Sequence, residues 1–182
     1  MKAKICLTAS AFLFHQGKVL LVKHQKLQQW LGPGGHIDEN ELPHEAAERE
    51  FLEETGLKVK VYSAAQEFAV SANAEDLFHP LPMAINEHWV CHENYQARLE
   101  AQSSKQAFTP HAKWSKGCEK HLNFAYLARL DGPLEIKPQA GESEEIAWFT
   151  LEELQQLSSQ DLASSILVEV TRAFELVNSD QT

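Results

Sequence analysis

The sequence predicts a layered α+β or α/β domain in which helices pack on a mixed β-sheet. Three observations carry this. Two apolar stretches near the N-terminus flank a short turn. A helical pattern running from Pro43 to Gly56 sits between strand-like stretches, and an amphipathic helix follows the last of them. Strands, then a helix, then strands, then helices is the order of a layered domain. A length of 182 residues suits one domain, residues 1–182, with a real core and some embellishment.

Taken in order, residues 4–14 and 18–24 read as paired strands joined at His15-Gln16-Gly17. Lys2, Lys4 and Ala9-Ser10-Ala11 faintly suggest a secretion signal. However, Thr8 and Ser10 interrupt the apolar run, and a turn and a second strand follow it, so a hairpin is the better reading. "LQQWLGPGGHID" is a short strand running into a Gly/Pro loop. Pro43 then opens a helix that Gly56 closes, since proline suits the first helical turn and glycine the C-terminal cap. Leu42 is a poor N-cap. "LKVKVYSAAQEFAV" is a β stretch, residues 71–82 a loop, and "MAINEHWVCH" a strand. Residues 93–118 are polar and read as an irregular insertion or a long hairpin tip, the place to expect specificity. "HLNFAYLARL" and "EEIAWF" are strands. Thr150 and Glu153 form a capping box before a short helix. The final helix is "SSQDLASSILVEVTRAFELVN", with Ile166, Val168, Val170, Phe174 and Leu176 as its expected buried stripe.

Net charge is −10 and no basic stripe occurs, which argues against duplex nucleic acid as a main partner. Nothing approaches the roughly 18 apolar residues of a membrane span. Acidity still permits an anionic substrate if divalent cations bridge it to the protein. Cys6, Cys91 and Cys118 are odd in number and far apart. They suggest neither a disulfide framework nor a metal-type pair, and so a reducing cytoplasm.

The densest chemistry is in "AEREFLEETG". Glu48, Glu50, Glu53 and Glu54 crowd around Arg49 on one helix. Exposed like charges at i,i+4 repel by a few tenths of a kcal/mol. At a partly buried site the repulsion reaches about 2–3 kcal/mol per pair. A solvated face is the ordinary explanation of an acidic run. Here Glu50, Glu53 and Glu54 share an arc of roughly 100°, and Gly34-Gly35 lies upstream with free backbone carbonyls. Hard oxygen donors in that arrangement suit Mg²⁺ or Mn²⁺.

From Gly35, five residues lead to Glu41, seven more to Arg49-Glu50-Phe51-Leu52-Glu53-Glu54-Thr55-Gly56-Leu57. Residues 35–57 resemble the Nudix box of the Nudix hydrolase superfamily at every fixed position. Phe51, where an aliphatic residue is usual, is a soft departure. "WLGPGGHI" and "ESEEIAWFTLEEL" resemble the flanking segments. The resemblance implies a Nudix fold, a mixed sheet sandwiched between helices. It implies a Mg²⁺- or Mn²⁺-dependent hydrolase that cleaves a pyrophosphate bond in a nucleoside diphosphate linked to another moiety. By resemblance, Glu50, Glu54 and the Gly35 carbonyl hold metal, and Glu53 is a further ligand or the general base. Glu41 and Arg49 pair structurally, and Gly34 and Gly56 support the box. Some relatives place the base on a distant loop. Glu142, Glu144 and Glu145 are candidates here, Glu142 first, so that the catalytic set is Glu53, Glu54 and Glu142.

His36 and Trp114 are candidates for substrate contact, and Lys113, Lys116 and Arg129 for phosphate, though nothing ranks these three above solvated surface charges. His92, His111, Cys118 and His121 fit no zinc spacing. Ala72 and Ala74 stand where ADP-ribose and dinucleoside-polyphosphate relatives tend to carry Pro and Tyr, and the coenzyme A motif is missing. A nucleoside triphosphate, a nucleotide sugar or another small nucleotide-type substrate remains. The alternatives are a Nudix-fold sensor that binds without cleaving and an RNA 5′-end pyrophosphohydrolase. Homodimers are common in the family, though this chain carries no mark of one.

Overall fold

A computed structural model describes residues 2–63, 78–141 and 145–179. Its strands are β1 (Ile5–His15), β2 (Lys18–His24), β3 (Gln29–Leu31), β4 (Gly34–His36), β5 (Val59–Tyr62), β6 (Ala84–Trp89), β7 (Lys120–Leu130) and β8 (Ile146–Phe149). Its helices are α1 (Pro43–Thr55), α2 (His92–Ser104), α3 (Leu151–Gln156) and α4 (Ser164–Ser179). The sheet runs β3-β2-β1-β7-β5, with β4 joining β1, β6 joining β7 and β8 joining β2. β1 and β7 are parallel from Ile5↔Lys120 to Leu13↔Ala128, whereas their other pairings are antiparallel, so the sheet is mixed.

Period-two alternation divides the core. Ala9, Ala11 and Leu13 of β1, with Tyr126 and Ala128 of β7, pack against Ala46, Ala47 and Phe51 of α1. Phe12, Val19, Leu21 and Ala125 face the opposite way, onto Leu154 of α3 and Ile166 and Val170 of α4. The sheet is therefore sandwiched between helices. Phe51 is fully buried, so the larger ring at that box position is accommodated. Both predicted boundaries of α1 hold. Leu42 makes no side-chain cap, and Glu45 instead accepts from the Leu42 N–H at 3.1 Å. Gly56 sits at φ 75° and donates its N–H to the Leu52 carbonyl at 2.8 Å. Thr150 caps α3 as a capping box.

Three expectations need correction. Residues 93–118 are not mainly irregular: α2 fills the first half, and a 3-10 turn spans Ala112–Trp114. This helix has almost no apolar face. It is held by Asn94, whose amide donates to the Trp114 and Cys118 carbonyls, and by Arg98, whose guanidinium pairs with fully buried Glu119. The last helix begins only at Ser164, and Val168 is 70% exposed, since Ala163 to Ile166 make the turn and Ile166, Val170 and Ala173 take the inward positions. Finally, Cys6 and Cys118 form a disulfide despite a sequence separation of 112. The parallel β1–β7 pairing, which sets Cys6 opposite His121, brings both to one end of the sheet. Cys91 is a free, buried thiol that caps α2. The end of the predicted β stretch and most of the 71–82 loop lie outside the described residues.

The Arg98 guanidinium holds the Glu119 carboxyl below its usual range, and Lys4 N–H donates to the same carboxylate at 2.7 Å. Removing Arg98 leaves a buried charge without its main partner. Arg98→Leu is expected to lower the unfolding free energy in urea by about 3 kcal/mol.

Candidate active site

α1 presents its acidic arc to β4. The Gly34 N–H donates to Glu54 Oε2 at 3.0 Å, and Glu54 is 8% exposed. Gly34 and Gly35 are not turn glycines, because neither has a positive φ. Both are needed for close approach. A Cβ on Gly34 would strike the Ala9 carbonyl and Ser10, and a Cβ on Gly35 would overlap the Glu50 carboxylate.

Arg49 meets much of the negative charge. It forks onto Glu41 at 2.7 and 2.8 Å, reaches Glu50 at 2.7 Å and Glu53 at 3.3 Å, and donates to the His36 carbonyl at 3.0 Å. Glu41 also accepts from the Asp38 N–H at 2.9 Å. The pair is self-reinforcing: Arg49 pulls the Glu41 carboxyl down, and Glu41, then Glu50, push the guanidinium up. One cation thus ties the loop, β4 and α1 together.

Glu50, Glu54, Gly34 and Gly35 lie at the wall of a cavity of about 810 Å³. The register explains why a cavity exists there. On the face where Phe12 and Ala125 fill the core, the next positions outward are polar. Ser10 lies opposite Ala125, Thr8 opposite Asn123 opposite Asn86, and Cys6 opposite His121 opposite His88. Asn123 accepts from the Thr8 hydroxyl at 3.2 Å and donates to the Ser10 hydroxyl at 3.0 Å. The apolar layer therefore gives way to a polar pocket without breaking the sheet. α4 supplies Glu169, 5% exposed and bonded to the Asn86 amide. Burial pushes the Glu169 carboxyl up to about 7 against the opposing effect of Asn86. His24, His36 and His88 are lowered chiefly by burial, and His121 is pushed down to about 3 by burial and its neighbouring histidines.

The structure thus gathers Gly34, Gly35, Glu50, Glu54, His36 and Trp114 around one cavity, with Lys113 and Lys116. Glu53 is set on the Arg49 side and does not line it. Glu142 and Glu144 lie outside the described residues. Glu145 is exposed and pairs with Lys23 at 3.2 Å. Asn86, His88, Asn123 and Glu169 were not among the site candidates, and His121 was considered only for a zinc spacing that it does not fit. A signal was present in "NEHW" and "HLNF": polar residues two apart at positions a strand points inward.

Compared with known proteins, the family described as NUDIX domain matches residues 4–106, more than half of the chain. The chain belongs to the Nudix family. This Nudix protein is 33% identical over 106 residues to a protein of Lactococcus lactis subsp. cremoris named "Probable DHNTP pyrophosphohydrolase". That alignment covers 57% of this chain and 60% of the relative, so the chain spans less than two thirds of the relative's length. A NUDIX-family hydrolase from Clostridium perfringens superposes with a TM-score of 0.57 at 26% identity, covering 96% of this chain and 99% of that one. A NUDIX hydrolase from Nitrosomonas europaea gives 0.61 at 16% identity, covering 94% and 90%, a likeness of fold alone.

Two predictions follow from this geometry. Gly35→Ala puts its Cβ where the Glu50 carboxylate lies and is expected to lower the unfolding free energy in urea by about 1 kcal/mol. The second concerns pH. The raised Glu169 carboxyl stays protonated in the folded chain up to about pH 7, and its contribution to stability is full below pH 4.5 and lost as pH rises through about 7. The depressed histidines act oppositely, losing stability as pH falls below 6.5, in wild type and variant alike. The stability of Glu169→Gln relative to wild type should therefore rise by about 3 kcal/mol from pH 4.5 to 8. Urea melts of both proteins across that range give the difference.

Proposed function

We propose that the protein is a divalent-metal-dependent pyrophosphohydrolase acting on a small nucleotide-type substrate. The observation that carries this reading is the pair of carboxylates, Glu50 and Glu54, held against the glycine strand β4 at the wall of a roomy polar cavity. The donors gathered there are oxygens, which fits Mg²⁺ or Mn²⁺. Glycine at position 35 leaves space that any side chain would fill. Glu50, Glu54 and the Gly35 carbonyl would hold the cation, and Glu53, which faces Arg49, would serve as a further ligand or as the general base. Such a cation, when bound, neutralises the diphosphate and makes water a better nucleophile.

The chain's own residues do the positioning. Arg49 fixes the carboxylates relative to β4, and the Gly34 N–H orients Glu54. Lys113 and Lys116 sit on the same cavity and offer positive charge to a phosphate chain. Farther along it, the Asn86–Glu169 pair presents hydrogen-bonding groups to a heterocycle, and Trp114 offers a ring face. Water attacks one phosphorus of the anhydride, the P–O bond to the leaving phosphate breaks, and a box glutamate takes the water's proton. We assign Glu142, which precedes β8 in the sequence, as an additional carboxylate, for testing by substitution. A nucleoside triphosphate or a close analogue is the substrate class we favour, and the name of the Lactococcus relative makes DHNTP the first compound to try.

The test is a panel of nucleotides and DHNTP with Mg²⁺ or Mn²⁺, products resolved by chromatography. Cleavage at a diphosphate is expected, abolished by chelation and reduced at least a hundredfold by Glu54→Gln or Glu53→Gln with circular dichroism unchanged. Wild-type turnover in both variants would remove the box from the chemistry. Metal-dependent binding of a nucleotide with no cleavage would make the protein a sensor instead.

A further inference from the structure

The disulfide pair belongs to a larger donor cluster. Sγ of Cys6, Sγ of Cys118 and a ring nitrogen of His36 all lie within 4.8 Å of one another. His36 Nε2 is 3.2 Å from Cys118 Sγ. The His121 ring packs edge-on against His36 with centroids 4.9 Å apart, and His121 lies directly across from Cys6 in the β1–β7 register. His121 Nε2 is a buried ring nitrogen without a hydrogen-bond partner, the sole such side-chain atom among the described residues. Two sulfurs, a touching imidazole and a neighbouring orphaned imidazole nitrogen converge from β1, β4, β7 and the segment just before β7.

We propose that, with its cysteines reduced, the protein binds one zinc ion through Cys6, Cys118, His36 and His121. The chemistry of the set selects the metal. Thiolate and imidazole donors suit Zn²⁺, whereas Mg²⁺ and Mn²⁺ prefer the oxygens of the box. Tetrahedral zinc with bonds of about 2.0–2.3 Å requires donor separations of about 3.3–3.8 Å. The three donors, already within 4.8 Å of one another, reach this by side-chain rotation once the sulfurs are reduced, and His121 turns its unpartnered nitrogen inward. Binding releases two thiol protons and transfers no electrons, so the metal and the disulfide are alternative states of the same two sulfurs. The ion would clamp β4 to β1 and β7. His36 directly follows Gly35, so zinc would stiffen the strand that carries the Nudix box's glycine. The zinc site is independent of the hydrolase reading, since none of its donors is a box carboxylate. Spacing along the chain concealed it because the four donors lie at 6, 36, 118 and 121 and meet only through strand register.

Full-length protein, reduced with a phosphine and freed of that reagent and of metal, is titrated with Co²⁺ as a spectroscopic stand-in for zinc. The expected result is one equivalent bound with thiolate-to-cobalt charge-transfer absorption, displaced by Zn²⁺. The band should survive in Glu50→Gln/Glu54→Gln, weaken at least tenfold in affinity in His121→Ala, and vanish in Cys118→Ser. It should also vanish in wild type reoxidised to the disulfide, a comparison that needs no variant to fold. A band that persists in Cys118→Ser or in the oxidised protein would overturn the proposal. So would a folded protein whose thiol count shows Cys6 and Cys118 reduced but no band, or a pair that resists reduction while the protein stays folded.

Discussion

One guanidinium organises the acidic site. Arg49 contacts Glu41, Glu50, Glu53 and the His36 carbonyl simultaneously, joining the loop after β4, the helix and the strand. Without it the carboxylates on α1 would repel one another in a half-buried setting. With it they are held apart and aimed. Lysine has the charge but not the fork, and it would satisfy one or two of these partners at most. The remainder of the site depends on this frame, because Glu54 meets the Gly34 N–H only where β4 is held close to α1.

The cavity arises from a second device. Along β1, β6 and β7 the inward positions change from apolar to polar at one level of the sheet, and the hydrogen-bonded Thr8–Asn123–Ser10 set marks the change. Deeper in, Phe12, Ala125 and Val170 pack densely. Farther out, α4 contributes Glu169 rather than another aliphatic residue. Sheet continuity is maintained across both zones, so the pocket inherits the rigidity of the core beneath it.

Much of this was legible in the sequence, and the limits are physical. Strands with clear alternation, the Pro43–Gly56 helix and the Thr150 capping box announce themselves through local rules. The box residues were identifiable from spacing within one helix and its preceding loop. Helix α2 was not, because its stability comes from Arg98–Glu119 and the Asn94 amide rather than an apolar stripe. The contacts that Gly34 and Gly35 permit were hidden for a related reason: they involve Ser10 and Glu50 from other elements. Glu169 looked like an ordinary polar residue on an amphipathic helix until α4 was laid against β6. The Cys6–Cys118 pairing needed the parallel β1–β7 alignment, which no local pattern encodes.

That alignment also bears on how the chain acquires its shape during synthesis. β1 emerges first, but β7, which pairs with it over nearly its whole length, follows more than a hundred residues later. Helix α1 and the β1–β2 hairpin can form early, while one long edge of β1 waits with unpaired backbone groups. Central pairings of such large sequence separation are slow to close, and an open, largely apolar edge invites association between nascent chains. A ribosome-bound fragment that stops near residue 106 would already contain the whole acidic motif, yet it would still lack the strand that completes the sheet behind it.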